Sequence, residues 1–257
     1  MRDPTYVRPV SAAALWCRRT AAFACLVALI GVAISRAGWV EPPAALAVVS
    51  SAIVLGLLAL LLAGAACITM WRTGRRGVRP TLGGVALAAL LLAWPAWLSA
   101  QALRLPVLND VTTDGRDPPQ FSQSRAALAA RGGRAPPAVP PSPAGRAAYP
   151  DLQPILLDAE ADDAFQTALK AAAARGWTII DRAPPNPGRG GLGHIDAVDR
   201  TAIMGFPEDV TIRIRPLAGQ TRLDLRSASR IGRNDFGSNA RRIELFAQEV
   251  QAQAEAK

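Results

Sequence analysis

The 257-residue chain is longer than one small domain requires, and its net charge of +9 is unevenly placed. Residues 1–102 hold nine Arg against Asp3 and Glu41, a net of +7; residues 103–257 hold 18 Arg, two Lys and 18 acids, a net of +2. The basic excess therefore accompanies the most apolar stretch, which argues against nucleic acid as a partner. Cys17, Cys25 and Cys67 lie in or beside apolar runs, so the C-terminal part has neither a disulfide framework nor a thiol-rich metal site.

Three apolar runs come first: Thr20–Ser35, Ala44–Trp71 and Thr81–Ala100. A spanning helix needs about 20 apolar residues. Taken with their flanks, the runs predict transmembrane helices at about 15–38, 44–71 and 81–101. None carries an interior charge, which points to a self-packing anchor rather than a transport path. Gly56 and Gly64 are small enough to let helices approach. Pro95 is expected to kink or end the third helix.

Loop charge sets orientation. Arg2, Arg8, Arg18 and Arg19 precede the first span, and Arg72, Arg75, Arg76 and Arg79 lie between the second and third. The loop between the first two has only Arg36 and Glu41. This pattern places the N-terminus in the cytoplasm and residues 101–257 in the periplasm of a bacterial inner membrane. Trp16, Trp39, Trp71, Trp94 and Trp97 fall near span ends, where amphipathic rings fit the headgroup layer.

Residues 1–102 are thus expected to form the anchor, 103–150 a juxtamembrane segment and Pro/Ala/Gly-rich linker, and 151–257 a soluble module. Ser124–Arg131 reads as a helical turn or two inside the linker. NDVTTD at Asn109–Asp114 reads as Asx-type turns, with docking of the module as a second possibility.

After Pro150 periodicity returns. A helix is expected from an N-cap at Asp158 to a stop at Gly176, followed by a strand at Trp177–Asp181 and a loop at Pro184–Gly193. His194–Met204 reads as a strand. In Val210–Arg215 and Thr221–Ser227, apolar and polar residues alternate, so each strand has one buried face. A turn at Ala218–Gly219 sets Ile214 opposite Leu223, Arg213 opposite Asp224 and Ile212 opposite Leu225. Asn239–Ala254 closes the chain as a helix. The expectation is an α+β module: an antiparallel sheet of about four strands with two helices on one face.

The run RSASR-x-G-R-x-D-x-G-x-N-x-R-R at Arg226–Arg242 is long and specific. With DVTIRIRP at Asp209–Pro216, PVLNDVTTD at Pro106–Asp114, Tyr149-Pro150 and HIDAVDRTAIMGFPEDV at His194–Val210, it resembles the DUF1499 family. That family is a bacterial and plastid group of unknown function, often joined to membrane helices. The resemblance brings no catalytic residues to carry over. The Pro184–Gly193 loop looks longer than the family pattern.

The arginine run supports two readings. In one, Arg226, Arg230, Arg233, Asn239, Arg241 and Arg242 surround a helix start and bind an anion, because arginine forks suit phosphate or carboxylate. In the other, Asp235 and nearby acids pair with those arginines and fix the loop. His194-x-Asp196-x-x-Asp199 has metal-ligand residue types, but strand geometry splits His194 and Asp196 from Asp199. No metal or cofactor is expected, and no nucleophile elbow, phosphate loop or nucleotide fingerprint appears.

The expected function is binding or scaffolding at the envelope, with no catalytic residues assigned. Expected partners are the lipid bilayer, an anionic headgroup or glycan, or a membrane protein. The alternatives are a hydrolase-like enzyme using His194 with nearby acids, and a purely structural subunit.

Overall fold

A computed structural model of the protein describes residues 9–134 and 143–255. The chain divides into two compact units, Met1–Ala100 and Gln101–Lys257.

The first unit holds α1 (Ala12–Arg36), α2 (Pro42–Thr73) and most of α3 (Val78–Arg104), all long and apolar enough to cross a membrane. Pro42 and Pro43 open α2, where a missing N–H costs nothing, and Gly74 closes it in the left-handed region at φ 62°. Pro95 does not end α3, which continues to Arg104. The helices meet through small residues: a Cβ on Gly84 would collide with Cys17 Sγ. Gly56 packs on Leu91, whereas Gly64 faces open space and makes no helix contact. Large apolar side chains such as Leu29, Leu61 and Leu90 point outward. Small residues inside and large ones outside suit a lipid solvent.

The second unit contains β1 (Asp110–Thr112), α4 (Arg125–Ala130), α5 (Pro143–Ala148), β2 (Ile155–Leu157), α6 (Ala161–Ala174), β3 (Thr178–Ala183), a 3-10 turn at Pro187–Arg189, β4 (Gly193–Arg200), β5 (Pro207–Leu217), β6 (Gln220–Ser229) and α7 (Ser238–Glu255). It is an α+β fold. Its antiparallel sheet has six strands rather than four, in the order β3-β4-β5-β6-β1, with β2 also pairing β6. The two additional strands have three residues each, too short for alternation to register. The segment expected to form Asx turns is therefore partly strand, with an Asx-type turn only at Asp114, whose Oδ1 accepts from the N–H groups of Arg116 and Asp117.

The β5–β6 hairpin has the expected register, Ile214 opposite Leu223 and Ile212 opposite Leu225. These residues join Ile195, Ala197 and Val210 in a core capped by α6 and α7. There Trp177 stacks on Phe246 with ring centroids 4.8 Å apart. The N-cap of α6 is Glu160 rather than Asp158, and Asp162 and Asp163 fill its first turn, where the helix dipole favours acids.

The opposite face of the sheet is covered too. Residues 113–134, expected as linker, form a strap across it, with Phe121, Ala127 and Arg131 buried. Residues 135–142 of the expected linker lie outside the described residues.

Candidate functional site

The strap covers a layer of charge. Period-two geometry places Asp181, His194, Asp196, Asp209, Thr211, Arg213, Asp224 and Arg226 on that face. Arg131, from the end of α4, donates to Asp209 Oδ1 at 3.0 Å, to Asp196 Oδ2 at 2.7 Å and to the Ser122 carbonyl at 2.8 Å. Phe121 lies under two guanidinium groups, 4.8 Å from Arg226 and 5.6 Å from Arg131. Arg213 holds Asp224 and reaches Asp117 in the strap, and Arg222 reaches Asp114. Each buried ion of this layer has a counter-ion, the condition under which charge tolerates burial.

The arginine run divides in two. Arg226 donates to Asp110 at 2.7 Å and Arg230 to Asp209 at 2.8 Å. Arg242 turns to the helix side, 2.6 Å from Asp199 Oδ2. Its Nη2 also stands 2.7 Å from Glu208 Oε2, a close ion pair whose angles fall outside hydrogen-bond geometry. Burial pushes the Glu208 carboxyl up, and Arg242 and Ser229 only partly offset it. Asn239 uses its whole amide: it donates to Ser229 Oγ and the Asn109 carbonyl and accepts from Ser227 Oγ and Arg242. Among the described residues Asp235 pairs with no arginine. It caps α7 through the N–H groups of Gly237 and Asn239. Arg233 and Arg241 are exposed and join none of the ion pairs found among the described residues.

An open groove of about 330 Å³ lies where the strap meets β4 and β5. Pro119, Gln120 and Ser122 form one wall, Leu192, Gly193 and His194 another, and Thr211 and Arg213 the floor. A Cβ on Gly193 would stand 2.9 Å from the Pro185 backbone nitrogen, so glycine lets the loop before β4 close against the strand. His194 Nε2 lies 3.4 Å from Asp181 Oδ2, and Ser122 Oγ donates to the same oxygen. Burial works against ionisation of Asp181, but donors from Ser122, Ser124 and His194 outweigh it and hold the carboxyl below its ordinary range.

The structure does not join His194 to the serines of the arginine run. Ser227 and Ser229 face the helices, bound to Asn239 and Arg242, while His194 faces the strap. Asp199 likewise points away from His194 and Asp196. Among the described residues no three His, Cys, Asp or Glu side chains gather as a metal would need.

Four residues that shape this face were not singled out from the sequence. Asp181 sits just past a β-bulge in β3, so counting by twos from Trp177 gives its side poorly. Ser122 and Arg131 lie in a Pro/Ala/Gly-rich segment that composition reads as linker. Phe121 is the one large aromatic of residues 113–134, and it marks the buried part of the strap.

The features together define a class: an α+β module with a charge-layered sheet, preceded by three helices of membrane-spanning length. Residues 110–250, just over half of the chain, match the model of the protein of unknown function family DUF1499. The chain belongs to that family. Among curated proteins none matches it.

Proposed function

We propose that this protein is an inner-membrane binding module whose ligand enters the groove beside His194. Charge in the loops around the apolar helices supports a cytoplasmic N-terminus and a periplasmic module. The observation that carries the binding reading is the groove itself. It is an open groove in which Pro119 and Leu192 stand beside the polar side chains of Gln120, Ser122, His194, Thr211 and Arg213, the imidazole being oriented by Asp181. Elsewhere on this face each buried charge has an ion-pair partner, although Asp196 Oδ1 accepts no hydrogen bond. The test is a thermal-unfolding screen of the full-length protein in detergent against phosphosugars, glycans, headgroups and small carboxylates. Leu192→Trp, which fills the groove mouth, serves as the comparison. A compound that stabilises the wild type and not the variant supports the reading; equal shifts, or none, overturn it.

A second reading, an enzyme using His194 with a nearby acid, is favoured by the Asp181–His194 contact. That acid is Asp181 rather than Asp196 or Asp199. Turnover of a panel of ester or phosphoester substrates, abolished by His194→Ala, would support it. Unchanged turnover would end it.

A further inference from the structure

We infer that the exposed arginines Arg104, Arg233 and Arg241, carried by the segment leaving α3 and by the loop and helix fastened to it, dock on anionic phospholipid headgroups of the bilayer that α3 crosses. This deepens the membrane reading above and rests on α3 being a spanning helix. It is independent of the groove.

The inference begins with chain connectivity. The apolar run Thr81–Ala100 has 20 residues, about 30 Å of helix, which matches the hydrocarbon core. Gln101–Arg104 adds one further turn, about 6 Å, the depth of a headgroup layer. Leu105 is the next residue. Whatever the orientation of the module, Leu105–Asn109 cannot leave the bilayer surface by more than the intervening chain allows, about 3.5 Å per residue.

The arginine loop is fastened to this segment. Asp235 N–H donates to the Leu108 carbonyl at 2.7 Å, and Asn109 Nδ2 donates to the Gly232 carbonyl at 3.2 Å. Gly237, at φ 82°, lets the loop close on Leu105: a Cβ there would stand 2.9 Å from Leu105 Cδ1. The loop that holds Arg233 and leads to Arg241 is thereby fastened to the segment that follows α3.

The surface chemistry fits a lipid partner. Arg104, Arg233 and Arg241 are exposed, and among the described residues neither Arg233 nor Arg241 pairs with an acid, unlike Arg226, Arg230 and Arg242. The buried Asp235 is committed to capping α7, and the nearest exposed acid on that helix is Glu244. Leu103 and Val107, on the exit segment, are 90% and 63% exposed. Apolar side chains beside unpaired arginines suit the boundary between headgroups and acyl chains.

The experiment uses full-length protein in nanodiscs of phosphatidylcholine alone, or with roughly one-third phosphatidylglycerol. Hydrogen exchange is followed across residues 231–242. Each basic residue near an anionic surface is worth about fivefold in binding, so exchange should slow several-fold in the anionic discs and recover at high salt. Arg233→Gln with Arg241→Gln should abolish the slowing; the paired Lys variant should keep it. Exchange across β5 reports whether either variant has unfolded. Equal exchange of the wild type in both discs overturns the inference. So does equal protection by inorganic phosphate in phosphatidylcholine discs, which would mark a soluble-anion site. Loss of slowing in the Lys variant with β5 intact also overturns it, because charge would not be the cause. Leu192→Trp should leave the slowing unchanged, so failure of the groove reading and failure of this one give different results.

Discussion

The same three strands, β4 to β6, present two opposite faces. Toward α6 and α7 they offer Ile195, Val210, Ile212, Ile214, Leu223 and Leu225; toward the strap they offer Asp196, Asp209, Thr211, Arg213, Asp224 and Arg226. Both sets are buried except for part of Arg213. The apolar face is held by area removed from water and tolerates any cover of the right shape. The charged face is held by pairing, and each member is needed by another. Alternating polar residues in a strand therefore do not guarantee contact with water. They permit burial when opposite signs meet across the strands, as Arg213 opposite Asp224 does, and when other segments supply the missing counter-ions, as Asp110 does for Arg226 and Arg131 for Asp196 and Asp209.

The largest effect separating the two faces should come from Arg131. Its side chain is 1% exposed and lies between Asp196 and Asp209, which are 0% and 2% exposed. Arg131→Met leaves both carboxylates short of a partner and should cost about 3–5 kcal/mol. Asp196→Asn added to it should restore part of that loss, because the uncompensated charge is gone. Urea unfolding of the full-length protein in detergent, read by pulse proteolysis of the soluble unit, measures both variants. On the apolar face Ile212→Ala should cost about 2–5 kcal/mol through cavity formation. No second polar change should rescue it. If Arg131→Met proved milder than Ile212→Val, the charged layer would be ornamental and the comparison would fail.

The sequence carried the helix-side face well and the strap-side face poorly. Ile212, Ile214, Leu223 and Leu225 announce themselves by alternation, and the turn at Ala218–Gly219 fixes their register. Asn239–Ala254 and the helix ending at Gly176 follow from apolar spacing and a glycine stop. What failed has a common physical origin. β1 and β2 gain their identity by pairing with β6, and the strap gains its place by salt bridges to residues more than 60 positions away. Local composition holds no trace of such partners. The arginine run shows the same limit: its five guanidinium groups look alike in sequence, yet Arg226, Arg230 and Arg242 find internal acids while Arg233 and Arg241 do not.

A smaller effect tests the junction between the faces. Asn239 joins β6, α7 and the segment before β1, with each amide position used. Asn239→Ala removes these bonds and leaves the buried Ser227, Ser229 and Arg242 each short of a partner, a loss of about 1–3 kcal/mol. Asn239→Asp keeps the acceptors and loses the donors. It should be no better than alanine, because the Asn109 carbonyl would then face a carboxylate. The same unfolding assay ranks them.

The smallest expected effect is in the pH dependence, where two sets of carboxylates pull in opposite directions. For Asp181, and for Asp114, burial is outweighed by hydrogen-bond donors, in the second case with Arg222 and Arg213 as well, so both carboxyls lie below their ordinary range. Their contribution to stability is present above the unfolded value, about 3.9, and is lost as pH falls through the folded value. Glu208 and Asp110 are pushed up by burial more than Arg242 and Arg226 pull them down. Their contribution is complete below the unfolded value and is lost as pH rises through the folded one. Acidification from pH 6 to 3 should therefore destabilise Asp181→Asn less than the wild type, by under about 1 kcal/mol once solvent screening is counted. It should destabilise Glu208→Gln more than the wild type, since that variant lacks the carboxyl that gains a proton in the fold. Urea midpoints at the two pH values measure both differences. Should the two variants shift in the same direction, the opposition between Asp181 on the strap side and Glu208 on the helix side would be lost, and the acid response would have to come from the net charge of the whole unit.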